Sequence, residues 1–145
     1  MAFRLFSLIL ITFFWSFSAA EPRVHAPLSI ECRVEPSEWS KRSKNSAWLI
    51  SLRRADGTPI EELVIPATSN PQVLKLGDRP SGTYIVAAYF DTNGNRKLDR
   101  GIFTNPTEPY AFSNNARNRF SEPELSAQRF AHPGAMQGLD LKPAF

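Results

Sequence analysis

Hydrophobic positions recur in short bursts along this chain, and the bursts read as strands. Leu28 to Val34 alternates, with Leu28, Ile30, Cys32 and Val34 on one face and Ser29, Glu31 and Arg33 on the other. That period of two marks a half-buried strand. Ala47 to Arg54 is a second strand, followed by the turn Ala55-Asp56-Gly57-Thr58 with its Asp-Gly signature. Pro59 to Ile65 is a third, stopped by Pro66, and Val73 to Leu76 is a short fourth. Gly77 to Gly82 reads as a rigid turn into the most apolar stretch, Thr83 to Phe90. Residues 84–90 do not alternate and are rich in aromatic and β-branched types, so this strand is expected to be covered on both faces. Leu139 to Leu141 is a last short strand.

The polar stretches divide these bursts. Residues 35–46 read as a solvated connection, with Trp39 expected to find cover. Residues 100–123 carry few strand signals, and a structureless loop of that length is often functional. A helical turn is expected from Ser121 to about Phe130, with Ser121 as cap and Glu124 replying from the third position; Pro133-Gly134 breaks it. Short strands separated by Gly and Pro turns predict an all-β fold: a single antiparallel β-sandwich, immunoglobulin-like or transthyretin-like, with one long loop and one short helical turn.

The first 20 residues change the picture of where this domain works. M-A-F-R, an apolar run from Leu5 to Phe17, then small residues at Ser18 and Ala20 form a cleavable signal peptide over residues 1–20. The run is shorter than the roughly 20 residues that span a bilayer. An exported protein is expected, periplasmic or secreted, with one domain over residues 21–145 and no stable membrane anchor after cleavage. Arg4 falls in the leader, which leaves 16 basic against 14 acidic residues in the mature chain. No basic stripe with interleaved aromatics stands out, so nucleic acid is not an expected partner. The single cysteine, Cys32, cannot form an internal disulfide and reads as a small buried thiol.

Chemistry concentrates in two adjoining motifs. The first follows the buried strand: Asp91, Asn93, Asn95 and Asp99 place oxygens at alternate positions, as short calcium loops do. The carbonyl of Lys97 fills the seventh place of such a loop, and Glu108 is the best candidate for a missing bidentate ligand. The expected metal set is therefore Asp91, Asn93, Asn95, Lys97, Asp99 and Glu108, with calcium as the cofactor. Arg96 stands where the pattern wants glycine, and Ile102 where it wants a carboxylate. Few anions beside Arg96, Lys97 and Arg100 imply weak binding, roughly 10⁻⁴ to 10⁻³ M. The same residues also make an Asn-Gly turn whose side chains bond only the local backbone, and at the level of sequence both readings stand.

The second motif is Y-A-F-S-N-N-A-R-N-R-F, residues 110–120. Asn114, Asn115, Arg117 and Arg119 suit a carboxylate, sugar or phosphate ligand; alternatively they pin a long loop. From G-T-Y-I-V-A-A-Y-F-D-T-N-G-N-R-K-L-D through Y-A-F-S-N-N-A-R-N-R-F to P-E-L, the chain resembles a family of small secreted bacterial proteins, domain of unknown function family 2141. Members share a D-x-N-x-N-G-x-L-D loop followed by a P-x-E-G-Y-G-F-S-N-N-A-R-G-R-F-G-like segment. The match is close over residues 82–125. The resemblance implies an exported β-sandwich with no established activity. This chain departs from the family glycines at Arg96, Pro109, Ala111, Asn118 and Ser121.

No catalytic constellation stands out. His25 and His132 lie near the two ends, outside metal-ligand spacing, and Ser113 has no neighbouring histidine in sequence. The expected function is an exported, non-enzymatic binding or structural module, calcium-stabilised, whose two motifs pack together at one end of the sandwich and face an envelope or extracellular ligand or protein. The rival is a hydrolase acting on an envelope or extracellular polymer through Asp91, Asp99 and Glu108.

Overall fold

The computed structural model describes residues 23–101, 106–119 and 121–144; the signal peptide expected over residues 1–20 lies outside them. The strands are β1 (His25–Val34), β2 (Ala47–Arg54), β3 (Pro59–Pro66), β4 (Gln72–Pro80), β5 (Gly82–Asp91), β6 (Tyr110–Phe112), β7 (Phe130–His132) and β8 (Gln137–Leu141). Two short helices, α1 (Pro36–Ser40) and α2 (Leu125–Gln128), and a 3-10 turn at Ser113–Asn115 complete the order. Three strands form one sheet in the order β4-β1-β8, and β3-β2-β5-β6 form the other, with β7 pairing the start of β5. The two face each other as an all-β sandwich. One pair departs from the antiparallel expectation: β8 runs parallel to β1, because it arrives by crossing over from β7 in the opposite sheet. Among the described residues no helix is long and apolar enough to cross a bilayer.

The alternation of β1 buries Leu28, Ile30, Cys32 and Val34 against Trp48, Ile50 and Leu52 of β2 and Val86, Ala88 and Phe90 of β5. The indole N–H of Trp48, fully buried, donates to Gln72 Oε1 of β4 at 2.9 Å, so this polar edge within the core is satisfied across the sandwich. β5 lacks alternation because its other face is covered too. Ile85 and Ala87 are fully buried on the outer side of the sheet. The chain after the 3-10 turn crosses that side: Glu122 pairs with outward-facing Arg53 at 3.0 Å, Leu125 lies over Gly57, and Arg129 Nε donates to the Ala55 carbonyl at 2.9 Å.

Several local expectations are corrected. β4 continues through Gly77 to Pro80, which pair with an earlier-starting β1 (Ala26 with Arg79, His25 with Pro80). Gly77, at φ 83°, sits at a register shift opposite Leu28, so it makes a bulge rather than a turn. Residues 36–40 are helical, not a plain connection, with Pro36 in the first turn where its missing N–H costs nothing. Trp39 rides on this helix and stacks on Trp48 and Phe90, with ring centroids 6.3 and 5.6 Å away. Arg42 covers its ring at 4.4 Å. Residues 110–112 form a strand within the expected loop. The second helix starts at Leu125 behind Glu124 with no side-chain cap; the hydroxyl of Ser121 instead accepts from Asn118 Nδ2 at 3.0 Å. Glu124 stands at the N-cap position and Ser121 three residues before it, so the expected capping box lies outside the helix, and Phe130 already belongs to β7.

Candidate functional site

β5 ends on Asp91, a fully buried carboxylate. Three backbone N–H groups surround it. Oδ1 accepts from Gly94 at 2.7 Å and Asn95 at 3.2 Å, and Oδ2 accepts from Arg96 at 2.7 Å. Charge-assisted bonds of this kind are among the strongest a carboxylate makes, and they offset the cost of burying its charge. Asn93 Oδ1 accepts from the Asn95 N–H at 2.9 Å, and Asn95 Oδ1 from the Lys97 N–H at 2.8 Å. The two side-chain amides turn their nitrogens to Asp99: Asn93 Nδ2 donates to Oδ2 at 2.6 Å, and Asn95 Nδ2 to both oxygens at 2.8 and 2.9 Å. Glu108, buried, accepts from the Thr92 N–H at 3.0 Å and the Asp99 N–H at 3.3 Å. Burial raises its pKa; the two N–H groups pull it down, and the nearby charges of Asp91 and Asp99 push it up again. The structure thus brings Asp91, Asn93, Asn95, Asp99 and Glu108 into one cluster.

Their oxygens face backbone N–H groups and side-chain amides. Lys97 enters through its N–H. Among the described residues no group of three or more His, Cys, Asp or Glu side chains is arranged to hold a metal ion. The cluster closes as an internally satisfied loop.

The loop is fastened to the connection before β2. Ser43 N and Ser46 Oγ donate to the Thr92 carbonyl at 3.1 and 2.5 Å. Gly94 presses on Asn45 so closely that a Cβ at this position would lie 2.6 Å from the Asn45 Cβ. Between these pieces opens a cleft of about 580 Å³, lined by Lys44, Asn45, Gly94 and Arg96 and by the exposed Val64 and Pro66. Lys44, Asn45, Val64 and Pro66 carry no sequence signal for a binding site. Asn93-Gly94 was the one clue, since glycine also marks close backbone approach.

The second motif lies along the sheet edge. Tyr110 exchanges backbone hydrogen bonds with Lys142 just beyond β8, at 3.0 and 3.1 Å, which joins the two sheets. Asn114 Nδ2 donates to the carbonyls of Ala127 and Arg129 at 3.0 and 2.8 Å. Asn115 donates to Gly138 O at 2.8 Å and accepts from Asp140 N at 2.9 Å. Arg117 donates to the carbonyls of Tyr110 and Pro143 at 3.1 and 2.9 Å, with its guanidinium 4.8 Å above the Tyr110 ring. Asn114, Asn115 and Arg117 therefore hold a seam between sheets, and Arg119 is exposed beyond them. Ser113 Oγ donates to the Gln128 carbonyl and accepts from Val86 N. His132 Nε2 meets the Ala26 carbonyl at 3.0 Å. Burial pushes the Cys32 thiol up to about 12, with the Glu31 charge adding to it.

The fold and these two motifs define a β-sandwich domain whose polar residues chiefly brace loop and seam. The chain belongs to the family described as uncharacterized protein conserved in bacteria (DUF2141), whose model matches residues 48–137, from β2 to the start of β8 and across both motifs. No curated protein and no solved structure matches the chain.

Proposed function

We propose that this chain is an exported, non-enzymatic β-sandwich module of the envelope or extracellular space, which binds through the cleft beside the Asp91–Asp99 loop. The observation that carries this reading is the use of the acidic residues. Asp91 and Glu108 accept backbone N–H groups with both oxygens, and Asp99 is held by two amides. A hydrolytic pair needs one carboxylate free to carry a proton and the other to face the reacting centre. These carboxylates instead set the wall of a cleft whose accessible groups are Lys44, Asn45 and Arg96. Cations beside the apolar side chains of Val64 and Pro66 suit an anionic or polyhydroxylated ligand.

Two measurements test this. Fractionation of cells expressing the full chain should find it outside the cytoplasm with residues 1–20 removed; a cytoplasmic, uncleaved product sinks the export reading. Purified mature protein should co-sediment with an envelope fraction. A Lys44→Gln, Arg96→Gln variant should keep its fold and lose that retention, and equal retention sinks the cleft.

Calcium is a second reading, favoured by the gathering of Asp91, Asp99 and Glu108 into one cluster, where the two aspartate charges add to burial in raising the Glu108 pKa and a cation would offset that part. The hydrogen bonds above give the opposite expectation. Melting midpoints in calcium and in EDTA should coincide, and a midpoint several degrees higher in calcium would establish the metal.

A further inference from the structure

At the opposite pole of the sandwich, where the β2–β3 and β4–β5 turns meet the start of β1, a second and larger cleft of about 640 Å³ opens. Its chemistry is set by arginines. Arg54 closes β2 on the inward-facing register of Trp48, Ile50 and Leu52 and lies opposite Tyr84 of β5. It therefore stands where the core opens to solvent. Arg79, half-buried, is held rigidly: Nε and Nη2 donate to the Leu76 carbonyl, at 2.9 and 2.6 Å, and Nη2 also pairs with Glu61. Its Nη1 makes no described hydrogen bond and lies on the remaining side of a fixed guanidinium. Arg23 completes the rim. Among the described residues no carboxylate lies within ion-pair distance of Arg54 or Arg23. Asp56, also on the rim, turns Oδ1 to the Thr58 N–H at 2.9 Å. That bond, with the Thr58 side chain and then Arg54 adding to it, holds its pKa below the ordinary value.

Arg54 can present the planar guanidinium fork that fits carboxylate and phosphate oxygens, and Arg79 adds its Nη1 from an orientation already fixed, which loses less freedom on binding. Two further arginines without ion-pair partners supply charge that a ligand can neutralise. We propose that this cleft is a second binding site, separate from the one beside the Asp91–Asp99 loop, for an oxyanion carried on a larger molecule. Arg79 and Arg54 would grip the oxyanion while Tyr84 and Ile60 line the remaining space. Phosphorylated groups and acidic saccharides share this chemistry, and the probes separate them.

The mature protein is titrated with inorganic pyrophosphate and, in parallel, with trigalacturonate, and the backbone amides are followed by NMR. At least one probe should shift Ser81, Gly82 and Thr83 saturably in the low millimolar range, and the arm that does so names the source. Arg54→Gln should weaken that binding roughly tenfold, the effect of losing one charge-assisted contact, with the amide spectrum otherwise kept because the Arg54 side chain makes no hydrogen bond or ion pair among the described residues. Lys44→Gln, at the opposite pole, should leave it unchanged. The proposal is overturned if neither probe moves these amides, if Arg54→Gln binds like the parent, or if Lys44→Gln weakens binding equally.

Discussion

Arg96 adopts φ 62°, in the left-handed region that an L side chain enters at a cost of roughly 1 kcal/mol. The sequence comparison with calcium loops expects glycine at this place, and the backbone agrees: the position has the glycine conformation without the glycine. Arg96→Gly should therefore raise stability by about 0.5–1 kcal/mol in chemical denaturation; a neutral or destabilising result would mean that Arg96 makes compensating contacts. Two positions earlier the reverse holds. Gly94 has φ 79° and no room for a Cβ beside Asn45, so Gly94→Ala should cost about 2–4 kcal/mol from strain and overlap together. The need for glycine at residue 94 is half legible in sequence. Asn-Gly announces the turn, but the pressure from Asn45 comes from a segment 49 residues away along the chain.

Among the elements, the strands with clear alternation were legible and the segment after Asp99 was not. β2 runs from Ala47 to Arg54 as its pattern predicts, and β5 is buried on both faces as its unbroken apolar run requires. β6 is three residues long, too short for a period to declare itself. It exists because β5 offers an unpaired edge beside Ala87, Ala88 and Tyr89. The Asn114–Asn115 pair reads from sequence either as ligand-binding amides or as a pinned loop; its hydrogen bonds to α2, β8 and the residues around them make it a clasp. Asn114→Ala removes two hydrogen bonds to backbone carbonyls and a residue that tolerates φ 60°. It should cost about 1–3 kcal/mol and speed amide exchange in α2 and β8 before the rest of the fold. Unchanged stability would return Asn114 to the ligand-binding reading.

At the scale of the whole molecule, Glu108 ties stability to pH. Burial is the leading cause of its raised pKa, above the ordinary 4.5. The folded state thus holds this proton more tightly than the unfolded chain does. The stability it contributes is fully present below the ordinary value and is lost as pH climbs through the raised one. Melting midpoints of wild type and Glu108→Gln should be compared between about pH 4 and 7. The advantage of wild type over the variant should shrink as pH rises, and a difference independent of pH would show that Glu108 does not titrate in that range.

The sequence by itself determined the all-β class, the positions of the main strands, the doubly covered β5 and the two polar motifs. All of these rest on local periodicity or on neighbours a few residues apart, which the chain carries in its own order. The tertiary structure alone decided what the motifs do. It turned the oxygens of Asp91 and Glu108 toward backbone N–H groups, laid residues 122–129 across the outer sheet, and joined β8 to β1 in parallel. It also gathered Arg23, Arg54 and Arg79 from three separate segments into one cleft. Each of these depends on which distant backbone groups are left unpaired once the sheets have packed, and residue order alone does not state that.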